Sequence, residues 1–445
     1  MNRKPTIIFS IEISQRELFP KVHLALEAAK RGYRAYIGDF LSVRALTYHT
    51  KKPIIFFHKS TWEAHAKRIR VNGHKFVFLD EEMGLAVPLN KLKETLRNRW
   101  GRNVTSDKYD ALFTLGPKHQ ELASKVIRDK NVKLHETGWP RFDLWRPELA
   151  SQLSNEKPPH PRKYYLFASS FGATNSRDFA IRLSRTSQRA PQNLQLSKDR
   201  EKSFYLCLNL LHELAHYLKK EDTDLIIRPH NGESSDEWQQ LFKEHSNIYI
   251  RRGGDLYNWL SHAESLLHAA STVGIQYALT GKIPITLCPV GAMSDTNQNL
   301  VSYAAHSIRD ILHNESVCRQ ADGINAVTTL VGALEGQTAA QNILDCLDNM
   351  DIAEQAPLNL PLSLYAKLHM YHAAGRTAAC APWRNRPWPN KLEALKKYYE
   401  KLDGGITTEQ VMDAVISLSQ VHEIPASELL VKTLAPQLVS IEHIN

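Results

Sequence analysis

Arg228-Pro229-His230 follows a short β-branched run at 225–227, and Ser271-Thr272-Val273-Gly274 follows the apolar run 265–269. An imidazole and a guanidinium at one strand end, with a hydroxyl pair at the start of a neighbouring helix, are the groups that hold a phosphate diester. They supply a charged fork, N–H donors and the positive end of a helix dipole. Taken singly, Ser271 reads as an N-cap and His230 as a loop residue. At successive strand ends they predict an anion site made of Arg228, His230, Ser271, Thr272 and Gly274. A second set is acidic. Glu12 lies in the apolar strand end IIFSIEIS, with Arg16 and Glu17 just beyond it; Lys59 follows another strand, and Asp80-Glu81-Glu82 follow a third in LDEEMG. A carboxylate at such a place can stabilise or attack a developing positive centre, or take a proton from an attacking hydroxyl. Glu12, Glu17, Asp80, Glu82 and His230 are therefore the candidate catalytic groups. Three acids in a row are expected to raise one another's pKa where partly buried. The same residues also fit a plainer reading, in which Arg16 or Lys59 forms a salt bridge with Glu12 and residues 80–82 are a solvated loop.

The elements that must position these groups read as alternating strands and helices. Residues 6–13 form a buried strand, 20–31 a helix stopped by Gly32, and 33–37 the next strand; 53–57, 75–79 and 111–115 are further strands with helical segments between them. This pattern predicts a doubly wound parallel sheet, whose ligands sit beyond the carboxyl ends of the strands. Gly116 sits at one such end. The turn at Gly138 and Pro140 aims Arg141, after which 150–163 is polar and proline-rich in the manner of a linker. A second run of βα units opens at 164–168 and leads into Ser169-Ser170-Phe171-Gly172-Ala173-Thr174-Asn175, a small-residue loop suited to a phosphate or sugar. The expected division is 1–155, an acceptor-side Rossmann-like domain; 156–345, a donor-binding Rossmann-like domain; and 346–445, a helical extension packing back on the first.

At 445 residues the chain exceeds the ~250–300 that one core supports, which agrees with two domains. A hydrophobic content of 42% with 23% charged residues is ordinary for a globular protein. No run reaches the ~18 apolar residues of a membrane span, and the expectation is a cytoplasmic protein, at most at the inner face of the cytoplasmic membrane. The five cysteines are scattered without a CxxC pair, so neither zinc nor a disulfide framework is indicated. The formal charge of +9 points to anionic partners, and no nucleic-acid module accompanies it, so no nucleic-acid partner is expected. Two basic segments with apolar or aromatic residues, 91–100 and 383–401, predict peripheral contact with an anionic membrane; each also reads as a solvated helix on its own domain.

Several longer motifs fall in order: IEISQREL at 11–18, GHKFVFLDEE at 73–82, TGWPRFDLWRPE at 137–148, IRPHN at 227–231 and AASTVGIQYALTGKIPI at 269–285. Over about residues 6–320 the chain resembles the bacterial surface-carbohydrate biosynthesis proteins. These are two-Rossmann (GT-B) glycosyltransferases of capsule and O-antigen loci, related to the capsular Kdo transferases and more distantly to CDP-glycerol glycerophosphotransferases. Asn231 and Thr272 depart from the residues common at those motif positions. The resemblance implies an α/β GT-B architecture with two parallel-sheet domains facing a cleft, and a CMP-activated nonulosonic acid (Kdo, sialic or pseudaminic type) as co-substrate. It implies a glycan or lipid-linked glycan acceptor, no metal requirement and a retaining leaning. His230 would stabilise the leaving phosphate, with Ser271, Thr272 and Arg228 around it. A carboxylate of the first domain would act at the sugar carbon, and Arg141, Asn175 and Lys59 would line the site. A polyol-phosphate transfer from a CDP donor, or a non-catalytic glycan-binding role, would use the same scaffold.

Overall fold

The computed structural model describes residues 4–50, 53–59, 66, 69–70, 73–82, 89–153, 157–175, 184, 194–230, 233–252, 256–290, 301–313, 327–350, 368, 371, 402, 405–435 and 437–444. The basic segment 383–401, Ser60 and Asn231 lie outside these residues.

Fourteen strands are present among them. They are β1 (Thr6–Ile11), β2 (Arg34–Asp39), β3 (Ile54–His58), β4 (Lys75–Leu79), β5 (Ala111–Thr114), β6 (Leu134–Glu136), β7 (Tyr164–Ala168), β8 (Asp224–Arg228), β9 (Ile248–Ile250), β10 (Ser265–His268), β11 (Ile285–Leu287), β12 (Tyr303–Ala305), β13 (Leu429–Ala435) and β14 (Leu438–His443). The chain divides into two compact units, one of residues 1–84, 91–144 and 329–445, the other of 85–90 and 145–328. The first holds an eight-stranded sheet in the order β13-β14-β2-β1-β3-β4-β5-β6, and the second a six-stranded sheet in the order β12-β11-β10-β7-β8-β9. Strands β1 to β6 pair in parallel, as do all six of the second sheet. Helices cover parallel strands on both faces, which is why these strands read as unbroken apolar runs rather than alternating ones. Ile7, Ile8, Phe9, Ile55, Phe56, Val77 and Phe78 in the first sheet are all fully buried, as are Leu225, Ile226, Ile227, Leu266 and Leu267 in the second. Two Rossmann-like α/β units in one chain are the composition expected of a GT-B protein.

The structure departs from expectation in four places. The first helix, Ser14–Lys30, begins before Pro20 and carries it inside. The N–H groups of Arg16 and Glu17 both donate to the Ile13 carbonyl, at 3.2 and 2.9 Å, so the turn is closed upstream of the proline. Arg16 and Glu17 thereby stand on the first helical turn, directly beyond β1. The extension is not simply helical: after the helix Thr408–Ser419 the chain forms the hairpin β13–β14, and β14 joins the first sheet antiparallel to β2, with Ala35 opposite Ile441 and Gly38 opposite Leu438. A Cβ on Gly38 would lie 2.5 Å from the Gln437 carbonyl, so only glycine admits this pairing. Gly116 is spent on packing as well, because a Cβ there would meet the Gly332 amide and the Leu330 carbonyl at 2.7 Å. Finally, Leu92, Leu96 and Trp100 of the helix Leu89–Trp100 are buried, leaving Lys91, Lys93 and Arg97 exposed. The apolar stripe offered to a bilayer is already part of the core. No helix among the described residues is long and apolar enough to cross a membrane.

Candidate functional site

In the first unit, β1, β3 and β4 lie side by side, and their carboxyl ends carry the predicted acids and cations. Glu17 is buried and fully engaged. It accepts the Glu12 N–H at 2.7 Å, Arg16 Nη2 at 2.9 Å and Lys59 Nζ at 2.7 Å. Burial alone would raise its pKa, but Lys59 and Arg16 overcome that and hold it at about 2. Lys59 also contacts Glu12 Oε2 at 2.7 Å, so the partner anticipated for the strand-end carboxylate is present. Arg16 reaches on to Glu82, whose pKa lies below the usual carboxylate range despite partial burial, because Arg16 and Lys59 face it. The mutual elevation expected of residues 80–82 is thus reversed at Glu82. The acids are separated by dedicated cations: Glu82 has Arg16, and Glu81 has Lys21 at 2.8 Å. Asp80 is buried and accepts the Glu82 N–H at 3.0 Å, which shapes the loop. Arg141 is buried too. It donates to the Glu81 carbonyl at 3.2 Å and stacks on Phe142, and desolvation brings its pKa down to about 10. Its visible role is to support the 80–82 loop. Glu12 and Glu82 are the partly exposed acids of this group, with side chains 37% and 41% accessible.

In the second unit the register sets Ala168 of β7 level with Arg228 of β8 on one side and with His268 of β10 on the other. At a strand spacing of about 4.8 Å, the loops after β8 and β10 stand about 10 Å apart with the β7 loop between them. Three bonds tie these loops together. Ser169 N–H donates to the Arg228 carbonyl at 3.1 Å, Ser234 N–H donates to the Asn175 carbonyl at 3.0 Å, and the Ser170 hydroxyl meets the Ala269 carbonyl. The Arg228 guanidinium lies 5.7 Å over the Trp259 ring. His230 is exposed, and its carbonyl accepts the Glu233 N–H at 2.9 Å. Asn175 is 5% exposed, and its Nδ2 has no hydrogen-bond partner among the described residues.

Beyond β10, Ser271 opens the helix Val273–Leu279, its hydroxyl accepting the Val273 N–H at 3.4 Å. Thr272 is half-buried, and its side chain makes no cap hydrogen bond. His268 lies beneath this turn, fully buried. Its Nδ1 accepts the Ser271 N–H at 3.3 Å, which assigns the ring proton to Nε2, 2.8 Å from the Ser302 hydroxyl. Burial pushes His268 down to about 3, so it is neutral. Gly274, expected in the anion site, is required by packing as well: a Cβ there would lie 2.8 Å from His268 Nε2, and the bare glycine makes room for that ring.

Sequence reasoning did not single out Glu233, Arg252, His268 or Trp259. Glu233 sits in the polar string NGESSD and looks like a solvated loop acid, yet it is 6% exposed. Its hydrogen bonds run to partners 64 and 61 positions earlier in the chain, Ser169 and Gly172, which no local pattern reveals.

No family model matches the chain, and no curated protein matches it. Among solved structures, a candidate UDP-N-acetylglucosamine 2-epimerase from Listeria monocytogenes is similar at 13% identity over 80% of this chain and 100% of that one, with a TM-score of 0.47. The wall teichoic acid polymerase TagF is similar at 11% identity over 78% of this chain and 89% of that one, TM-score 0.40. HepE from Anabaena, in complex with UDP and glucose, is similar at 9% identity over 78% and 100%, TM-score 0.41.

Proposed function

We propose that this chain is a glycosyltransferase of bacterial surface-polysaccharide synthesis. In this reading it transfers a nonulosonic acid from a CMP-activated donor to a glycan or lipid-linked glycan. One observation carries the reading: three adjacent strand-end loops of the second unit, bearing Arg228 and His230, Ser169 to Asn175, and Ser271 and Thr272, are bonded to one another at the carboxyl ends of the inner strands of a parallel sheet. Those strand ends are where such sheets take nucleotides. The choice of CMP and of a nonulosonic acid rests on the sequence resemblance over residues 6–320.

Arg228, a permanent cation, and His230 pair with the phosphate, the imidazole hydrogen-bonding to it as CMP departs. The Thr272 hydroxyl and Asn175 Nδ2, which has no partner among the described residues, add donors to the phosphate or the sugar carboxylate. Departure of CMP leaves a cationic sugar carbon. An ionised carboxylate stabilises or attacks that carbon, and ionisation is what the cations beside Glu82 enforce. Glu12 and Glu82 are assigned this role because they are partly exposed. Glu17 is assigned to hold Arg16 and Lys59 in place, since its carboxylate is already bound by three donors. Incubation with a CMP-nonulosonic acid and, separately, with CDP-glycerol tests the donor class. Turnover of the first alone, abolished by His230→Ala, is the expected result. Turnover of the second alone would make the chain a polyol-phosphate transferase, and turnover of neither with any glycan acceptor would leave a binding protein.

A further inference from the structure

A carboxylate buried at the base of the candidate donor loops has no part in the chemistry just described. Glu233 Oε1 accepts the Ser169 hydroxyl at 2.8 Å and the Gly172 N–H at 2.9 Å, and Oε2 accepts the Trp238 indole N–H at 2.8 Å. Its own N–H closes the turn back to the His230 carbonyl at 2.9 Å. From the β9 side, Arg252 donates to the Glu233 carbonyl and, at 2.5 Å, to the Ser235 hydroxyl. The exposed His230 imidazole thus stands on a turn whose far end is clamped to the β7 loop by a buried acid. Burial holds the Glu233 pKa above the usual carboxylate range in spite of its donors, so the clamp costs free energy. An apolar residue would fill that space without joining anything, whereas this carboxylate is bonded at once to Ser169, Gly172 and Trp238 and so ties the β7 loop to the segment after His230.

We propose that Glu233 is a positioning residue for the donor site, locking the β7 and β8 loops together so that His230 is presented to the leaving phosphate. The inference rests on the proposed function for its ligand, though the clamp itself can be measured without one. Glu233→Ala removes three hydrogen bonds and loosens the Ser169–Gly172 segment, leaving the backbone bonds Ser169 to Arg228 and Ser234 to Asn175 as the remaining ties to the β8 loop. In the full chain, CMP is expected to bind at least tenfold more weakly to Glu233→Ala than to the parent, and the Gly172 amide to exchange with solvent at least tenfold faster. Because the effect runs through His230, adding Glu233→Ala to His230→Ala should weaken CMP binding less than threefold further. An additive loss in the double variant would show generalised structural damage and overturn the proposal, as would unchanged CMP affinity in folded Glu233→Ala. Should Glu233→Ala fail to fold, Glu233→Gln serves. It keeps an oxygen for Ser169 and Gly172 but sets an N–H against that of Trp238, and an intermediate loss of affinity is expected from it, no loss overturning the proposal. If the parent chain binds none of CMP, CDP, UDP or GDP, the functional reading fails. Gly172 exchange and the imidazole titration of His230 by NMR then decide this inference alone, since both would be unchanged in the Glu233 variants if no clamp exists.

Discussion

Glu17→Gln separates a structural from a reacting carboxylate at the end of β1. The amide keeps an oxygen for the Glu12 N–H but can no longer balance Arg16 and Lys59, which approach Glu17 at 2.9 and 2.7 Å. The folded-state pKa of Glu17 is about 2 against an ordinary value of 4.5. At about 1.4 kcal/mol per pH unit, its ionisation in the fold is worth about 3 kcal/mol at neutral pH. Lys59 and Arg16 keep Glu12 and Glu82 as partners in the variant, which softens the loss to about 2–3 kcal/mol. For a unit of this size that corresponds to a fall of about 4–12 °C in Tm. The folded pKa lies below the unfolded one, so this stabilisation is fully present above pH 4.5 and fades as pH falls toward 2. Urea unfolding followed by tryptophan fluorescence at pH 7, 4.5 and 3 should show the difference between parent and variant shrinking along that series. A difference below 1 kcal/mol at pH 7, or lost turnover with stability intact, would refute the assignment and return Glu17 to the reacting groups.

Three further outcomes follow from the packing. Gly274→Ala pushes a methyl into the His268 ring, with a contact of 2.8 Å to relieve; a loss of about 1–3 kcal/mol is expected by thermal unfolding, together with weaker nucleotide binding as Ser271 shifts. His119, His268 and His422 are buried neutral, with pKa values pushed down to about 3, 3 and 4. The unfolded chain takes up their protons first as pH drops below 6.5, so stability should decline from there down to about pH 3–4, and imidazole NMR at pH 5 should still find all three uncharged. Removing residues 429–445 uncovers the edge of β2 along Ala35–Gly38 and should produce aggregation on purification, visible as a void-volume peak in size-exclusion chromatography.

The parallel strands were legible because burial on both faces leaves them as short apolar runs. Residues 75–79 and 164–168 match β4 and β7 residue for residue. The strand ends followed from the same rule, which is how Glu12, Lys59, Glu82, Arg228 and His230 came to be named together. What escaped was whatever depends on distant partners. The β13–β14 hairpin, with a largely solvated first strand, is fixed by pairing with β2 some 400 positions away. β6 and β12 are three residues each, too short to show a period. Gly116 and Gly274 look like ligand-approach glycines, but the space beside them belongs to the Gly332 backbone and to His268. The Lys59 contact of Glu17 and the burial of Glu233 were hidden for one reason: the groups around a carboxylate come largely from other elements.

The most direct test is a structure of the chain with CMP bound. The phosphate is predicted to lie about 3 Å from the His230 imidazole and from the Thr272 hydroxyl, with Asn175 or Arg228 supplying a further donor. CMP seated elsewhere on the molecule, with the loops after β7, β8 and β10 unchanged and empty of ligand, would contradict the account.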